Sequence, residues 1–114
     1  MRRDRERLID ILEALDSLSQ ILEGCTEMEF MSNDVIFGAS AYQLTIVGEA
    51  AAGVSAEMRE RGPEIEWRQV IGLRNVLVHQ YFGIDRPMVW IVARAEAPVL
   101  RDRIARLLLA EFPS

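Results

Sequence analysis

Apolar residues recur at intervals of three and four along most of the chain, the spacing that gives an α-helix one apolar face. No segment alternates apolar and polar residues in the way that predicts a β-strand. We therefore predict an all-α fold, an up-and-down bundle of four long helices, or five if Pro98 breaks the last one. Residues 1–114 are expected to form a single domain, because this length suits one packed core.

The first helix is predicted from about Asp4 to Leu22, because its apolar residues fall on one face with charged residues opposite. Gly24 is expected to stop it. A polar, acidic connection is expected from Thr26 to Met31. The apolar face is made by Leu8, Ile11, Leu12, Leu15, Leu18 and Leu22.

The second helix is predicted from about Asp34 to Arg61, with Ser32 or Asn33 as its N-terminal cap. Three glycines interrupt its helix propensity, at a cost of roughly 1 kcal/mol each relative to alanine. Close approach of a neighbouring helix would compensate for them, so we expect this helix to be the most buried element. The three are Gly38, Gly48 and Gly53.

The third helix is predicted to begin at Gly62-Pro63, with proline in its first turn, and to end near Tyr81 or Phe82. Asp85 is expected to cap the fourth helix, with Pro87 in its first turn. Pro98 cannot donate a backbone hydrogen bond, so this helix should kink near Arg94 to Ala95.

Composition excludes several classes of protein. The net charge is −5 and all 13 basic residues are arginine, which argues against broad, nonspecific nucleic-acid binding but permits a local arginine site for a phosphate. Cys25 and His79 are the single cysteine and the single histidine, so no disulfide and no Cys/His metal site is expected. No uninterrupted apolar run reaches the roughly 18 residues that span a bilayer. We expect a cytoplasmic protein without a metal or cofactor.

The histidine lies in the segment that most narrows the function. His79 is the one side chain whose ordinary pKa is near neutrality, and Arg74 precedes it by five positions. An arginine is a permanent planar cation suited to a phosphate. A structural histidine, and an Arg74 paired with a glutamate of its own subunit, are the alternatives that the spacing alone leaves open.

The faces of a regular third helix separate these two residues. Arg74 and Tyr81 share one face, about 140° from His79. Either the helix ends or distorts near His79, or a site is assembled across the two-fold axis of a dimer. We favour the dimer. A polar stripe on the His79 face consists of Arg68, Gly72, Asn75 and His79.

The whole segment around the histidine resembles the sequences of a known family. From Trp67 to Asp85 the sequence reads WRQVIGLRNVLVHQYFGID, which resembles the core of the HepT-like proteins, small HEPN-domain toxins encoded beside a minimal nucleotidyltransferase. Two further similarities are VGEAA from Val47 to Ala51, and Val89-Trp90 followed by Pro98. The resemblance covers nearly the whole chain, and no departure from the motif is visible.

The resemblance implies an all-α HEPN bundle, a homodimer, and a metal-independent ribonuclease whose substrate is RNA. Arg74 and His79 match the catalytic positions of the family motif, and Asn75 matches the polar position beside the arginine. Tyr81 matches the tyrosine that the partner nucleotidyltransferase, acting as the antitoxin, modifies with AMP to silence the toxin.

Two other functions remain open at this point. The chain could be a non-catalytic HEPN module that binds a nucleotide or a substrate for a nucleotidyltransferase, or a purely structural dimerisation bundle. The intact motif argues against both. The sequence assigns no role to Glu49, in the middle of the second helix, or to Cys25, for which a small apolar filler is the simplest interpretation.

Overall fold

The computed structural model describes residues 2–76 and 85–113. Within these ranges the chain is helical and contains no strand, which confirms the all-α prediction. The helices are α1 (Arg2–Leu22), α2 (Glu27–Ser32), α3 (Asp34–Ala52), α4 (Ala56–Arg61), α5 (Trp67–Gly72), α6 (Arg86–Ile91) and α7 (Ala97–Glu111). A 3₁₀ turn (Leu73–Asn75) follows α5, and a π-helical segment (Val92–Glu96) joins α6 to α7.

Helix α3 lies at the centre of the bundle. It packs along α1 on one side and against α5 and the 3₁₀ turn on another, while α7 packs on α1. The helix is long and apolar enough to cross a membrane by length and composition alone, but other parts of this chain cover much of it. Its buried residues are Phe37, Ser40, Ala41, Leu44, Val47, Gly48, Ala50 and Ala51.

Two predictions about the first half of the chain are wrong in detail. The connection from Thr26 to Met31 contains helix α2, which begins with a capping box: the Thr26 hydroxyl accepts from the Glu29 amide at 3.1 Å, and the Glu29 carboxylate accepts from the Thr26 amide at 3.1 Å. Asn33, as predicted, caps the next helix by accepting from the Val35 and Ile36 amides.

The predicted second helix is two helices, because Gly53 ends α3 and Ser55 starts α4. The Ser55 hydroxyl accepts from the Met58 amide at 3.1 Å. Asp4 of α1, which is only 3% exposed, accepts from the Ser55 amide and the Ser55 hydroxyl at 2.8 Å each. This buried carboxylate stabilises the break, because it satisfies the Ser55 amide, which a continuous helix would have bonded internally.

The fourth predicted helix departs from α-geometry where Pro98 requires it. The π-helical segment Val92–Glu96 covers the predicted kink site near Arg94 to Ala95, and the Ala97 amide donates to the Val92 carbonyl. Proline 98 then falls in the first turn of α7, where its missing N–H costs little. Asp85 stands at the N-cap position of α6, but its side chain makes no capping hydrogen bond.

Candidate active site

The helix that carries the motif begins later than predicted. The turn that contains Pro63 precedes it, and α5 starts at Trp67. The indole N–H of Trp67 donates to the carbonyl oxygens of Arg59 at 3.2 Å and Gly62 at 3.0 Å. These bonds tie the first residue of α5 to the end of α4, so the direction of the motif helix is set by the connection before it.

The helix tightens at Arg74. Residues Leu73–Asn75 form a 3₁₀ turn, which departs from regular α-helical geometry at Arg74 itself. The distortion that the sequence allowed near His79 lies outside the described residues. Where the motif helix ends lies outside the described residues.

Gly48 of α3 lies directly against the backbone of this turn. A methyl group at position 48 would lie 2.8 Å from the Arg74 Cα and 2.8 Å from the Leu73 carbonyl carbon, and closer still to the Arg74 amide nitrogen. Ordinary carbon–carbon contact is about 3.5–4.0 Å, so only glycine fits here. The close approach predicted for the glycines of this helix is confirmed at Gly48, whereas Gly38 has nothing within 4 Å of a methyl group.

The side chains of Arg74 and Asn75 are exposed on this turn. No ion pair within residues 2–76 and 85–113 joins Arg74 to a carboxylate, in contrast to the alternative in which it pairs with a glutamate of its own subunit. The Arg74 backbone packs on α3 while its guanidinium is exposed. Such a guanidinium can bind a phosphate without first breaking an internal salt bridge. His79 and Tyr81, the other predicted site residues, lie outside the described residues.

Beyond the motif, Arg86 is the first residue of α6 and contacts both α2 and α3. Its guanidinium donates to the Met31 carbonyl at 3.0 Å and to the Asp34 carboxylate at 2.7 Å, and it lies 4.3 Å from the centre of the Phe37 ring. Sequence reasoning missed this residue. The position of Arg86 directly after the predicted break at Asp85 could have pointed to it, but the residues that it contacts are distant in sequence.

An apolar groove adjoins the motif turn, with a volume of about 960 Å³. Gly72 and Leu73 line one side of it, and three large apolar side chains of the α6–α7 region line the other. These three are Met88, Ile91 and Val99, exposed by 61%, 53% and 48%.

Two residues that the sequence left without a role lie elsewhere. Glu49 is exposed on α3, on the groove between α1 and α3. Burial raises the pKa of the Cys25 thiol, the Glu29 carboxylate raises it further and Arg94 opposes the shift, while the half-buried side chain packs against the hydrophobic core. Among the described residues, no three His, Cys, Asp or Glu side chains are grouped to hold a metal ion.

The chain matches the family model described as Ribonuclease HepT-like over residues 11–107, a range that includes the whole Arg74–His79 motif. A Methanocaldococcus jannaschii protein named as a candidate RNase is 33% identical over 97 residues, which cover 85% of this chain and 89% of that protein. A Caldanaerobacter subterraneus protein, also named as a candidate RNase, is 29% identical over 97% of this chain and 99% of its own length.

A Thermococcus cleftensis protein named as a candidate ribonuclease HepT is 27% identical over 93% of this chain and 96% of its own length. No solved structure matches the chain significantly.

Replacing Arg86 with methionine should lower the free energy of unfolding by about 1.5–3 kcal/mol, because the substitution removes a charge-assisted bond to a carbonyl and the contact with the Phe37 ring. Asp34→Asn is the matched control: the Asp34 side chain is 87% exposed, so its ion pair should contribute less than about 1 kcal/mol. Urea unfolding followed by circular dichroism measures both. Equal losses in the two variants would contradict the central role of the carbonyl and ring contacts.

Proposed function

Because this chain belongs to the HepT-like ribonuclease family, we propose that it is a toxin-type, metal-independent endoribonuclease of the cytoplasm that cleaves RNA with Arg74 and His79. The observation that carries the proposal is the family match over residues 11–107 with an intact motif inside it. The exposed position of Arg74 on a tightened turn supports it.

The proposed chemistry uses the nucleophile that RNA itself supplies. A neutral His79 takes the proton of the 2′-hydroxyl, whose oxygen bonds to phosphorus while the bond from phosphorus to the 5′-oxygen breaks. A protonated His79 of a second copy gives its proton to the leaving 5′-oxygen. Arg74 binds the phosphate and stabilises the additional negative charge of the transition state, and Asn75 orients His79 or a phosphate oxygen. The products are a 2′,3′-cyclic phosphate and a 5′-hydroxyl.

Regulation is proposed to act on Tyr81. AMP attached to its hydroxyl by a partner nucleotidyltransferase would place bulk and negative charge two residues from His79, where the RNA phosphate has to bind. The phenol itself has an ordinary pKa near 10, which makes it a poor acid or base at neutral pH. Tyr81 would therefore be a switch and would take no part in the cleavage.

A homodimer completes the proposed site, since two proton-transfer groups are needed and each chain has one histidine. The apolar groove beside the motif turn supports a second copy as its occupant. Met88, Ile91 and Val99 expose more apolar surface there than a bundle face in water requires, and the groove is continuous with the turn that carries Arg74.

Cleavage of total RNA should proceed in the presence of EDTA and leave 2′,3′-cyclic phosphate ends.

His79→Ala should lower the rate by about 10² to 10⁴ without unfolding the protein, as expected for loss of a general acid–base group. Arg74→Lys should also be slower, because an ammonium cannot replace the bidentate guanidinium. The rate of formation of cyclic-phosphate ends is the measurement.

Strict dependence on added Mg²⁺ with 3′-hydroxyl products would contradict this mechanism. A folded chain that binds RNA tightly but leaves it uncut would instead support the non-catalytic binding module.

Tyr81→Phe should keep the ribonuclease rate of the wild type and resist neutralisation by the cognate nucleotidyltransferase with ATP. The variant lacks the hydroxyl that accepts the adenylyl group and keeps the aromatic ring. Mass spectrometry of the wild type after reaction should locate adenylyl groups on Tyr81. Adducts on another residue, or neutralisation of Tyr81→Phe at the wild-type rate, would refute the assignment.

Met88→Asp should convert the dimer into a monomer, because it introduces a charge into the apolar surface proposed to be covered by the second copy. Leu109→Asp is the matched control: Leu109 is 71% exposed, at a position away from the groove, and its substitution should leave the dimer intact. Light scattering at micromolar concentration gives the mass of each. A monomeric wild type would rule out the dimer.

A further inference from the structure

The contact between Gly48 and the 3₁₀ turn lies at the backbone of Arg74, a predicted catalytic residue that the structure describes. We infer that Gly48 is a positioning residue that determines where the guanidinium of Arg74 stands. The inference rests on the proposed ribonuclease function. Gly48 would affect the reaction indirectly, through the position of Arg74.

Two features fix the position of the turn. Gly48 of α3 is buried, and a methyl group there would overlap the Arg74 backbone at both its amide nitrogen and its Cα. Leu73 of the same turn is half-buried and packs against the hydrophobic core. The backbone of Arg74 therefore sits on α3 without an intervening side chain, and it cannot move closer to that helix.

The distance between the 3₁₀ turn and α3 determines how far the Arg74 guanidinium extends from the bundle. With alanine at position 48, the turn would have to withdraw by about 1 Å to restore ordinary van der Waals contact. The neighbouring atoms are backbone, so no flexible side chain can give way instead. A catalytic group displaced by about 1 Å loses on the order of 10²-fold in rate, because the bound geometry no longer matches the transition state.

The chain provides a matched control on the same helix. Gly38 also lies within α3, but a methyl group there would have nothing within 4 Å. Gly38→Ala therefore makes the same chemical change in the same helix without touching the turn.

The experiment compares these variants in the total-RNA assay with enzyme in excess over RNA, so that slow rates remain measurable. Gly48→Ala is expected to lower the maximal cleavage rate by about 10- to 100-fold and to leave the half-saturating enzyme concentration within about threefold of the wild type. Gly38→Ala is expected to cleave at the wild-type rate. Circular dichroism at the assay temperature confirms that each variant is folded.

A double-mutant cycle separates positioning from general loss of structure. If Gly48 acts through Arg74, adding Gly48→Ala to Arg74→Ala should cause no further loss of rate. Independent, multiplying losses would overturn the inference, and so would a wild-type rate in folded Gly48→Ala.

Two further outcomes are distinguishable. If Gly48→Ala does not fold, Leu73→Ala is used, because it loosens the same turn from the core side without adding a clash; a wild-type rate in that variant overturns the inference. If wild type and Arg74→Ala release equally few cyclic-phosphate ends, the proposed function itself fails, and the inference falls with it.

Discussion

The burial of α3 is the constraint on which the rest of the structure depends. Nineteen residues of mostly small and apolar character form this helix, and they must be covered on several faces at once. Helix α1 covers one face, and α5 with its 3₁₀ turn covers another. Small residues such as Ala41, Gly48 and Ala51 let the covering elements approach closely. The position of the motif turn is a consequence of this packing.

The sequence predicted the fold class well because helical periodicity reports directly which side chains are buried. It also located the distortion caused by Pro98, since a missing backbone donor has a local effect. The division between α3 and α4 was missed, although Gly53 and Ser55 both signalled it, because the deciding partner is Asp4, some fifty residues away in sequence. Helix α2 could have been found from its Thr26–Glu29 capping box.

The candidate site, too, was predictable from the sequence only in part. The motif residues were identifiable because their chemical types and spacing resemble those of a known family, and the family match includes them. The sequence could not predict that the backbone of Arg74 packs directly on Gly48 of α3. A glycine in a helix indicates close approach by something, but periodicity does not say which backbone approaches it or where along the neighbouring element it does so. The 3₁₀ geometry of Leu73–Asn75 was equally invisible, because no proline or charge pattern marks it.

Two described residues that flank the motif histidine in sequence contact the same helix, α3. Before the motif histidine, the Arg74 backbone lies on Gly48, in the C-terminal half of α3. After it, Arg86 binds Asp34 and the Phe37 ring, in the first turns of α3. These attachment points are 11 residues apart from Phe37 to Gly48, which corresponds to about 16 Å along a helix axis.

Helix α3 is therefore the common support for the backbone of Arg74 and for Arg86 at the start of α6. This arrangement suits a site whose members come from one continuous segment. Residues supported by a helix are placed more precisely than residues on a loop, so α3 fixes the Arg74 backbone on which the proposed site depends.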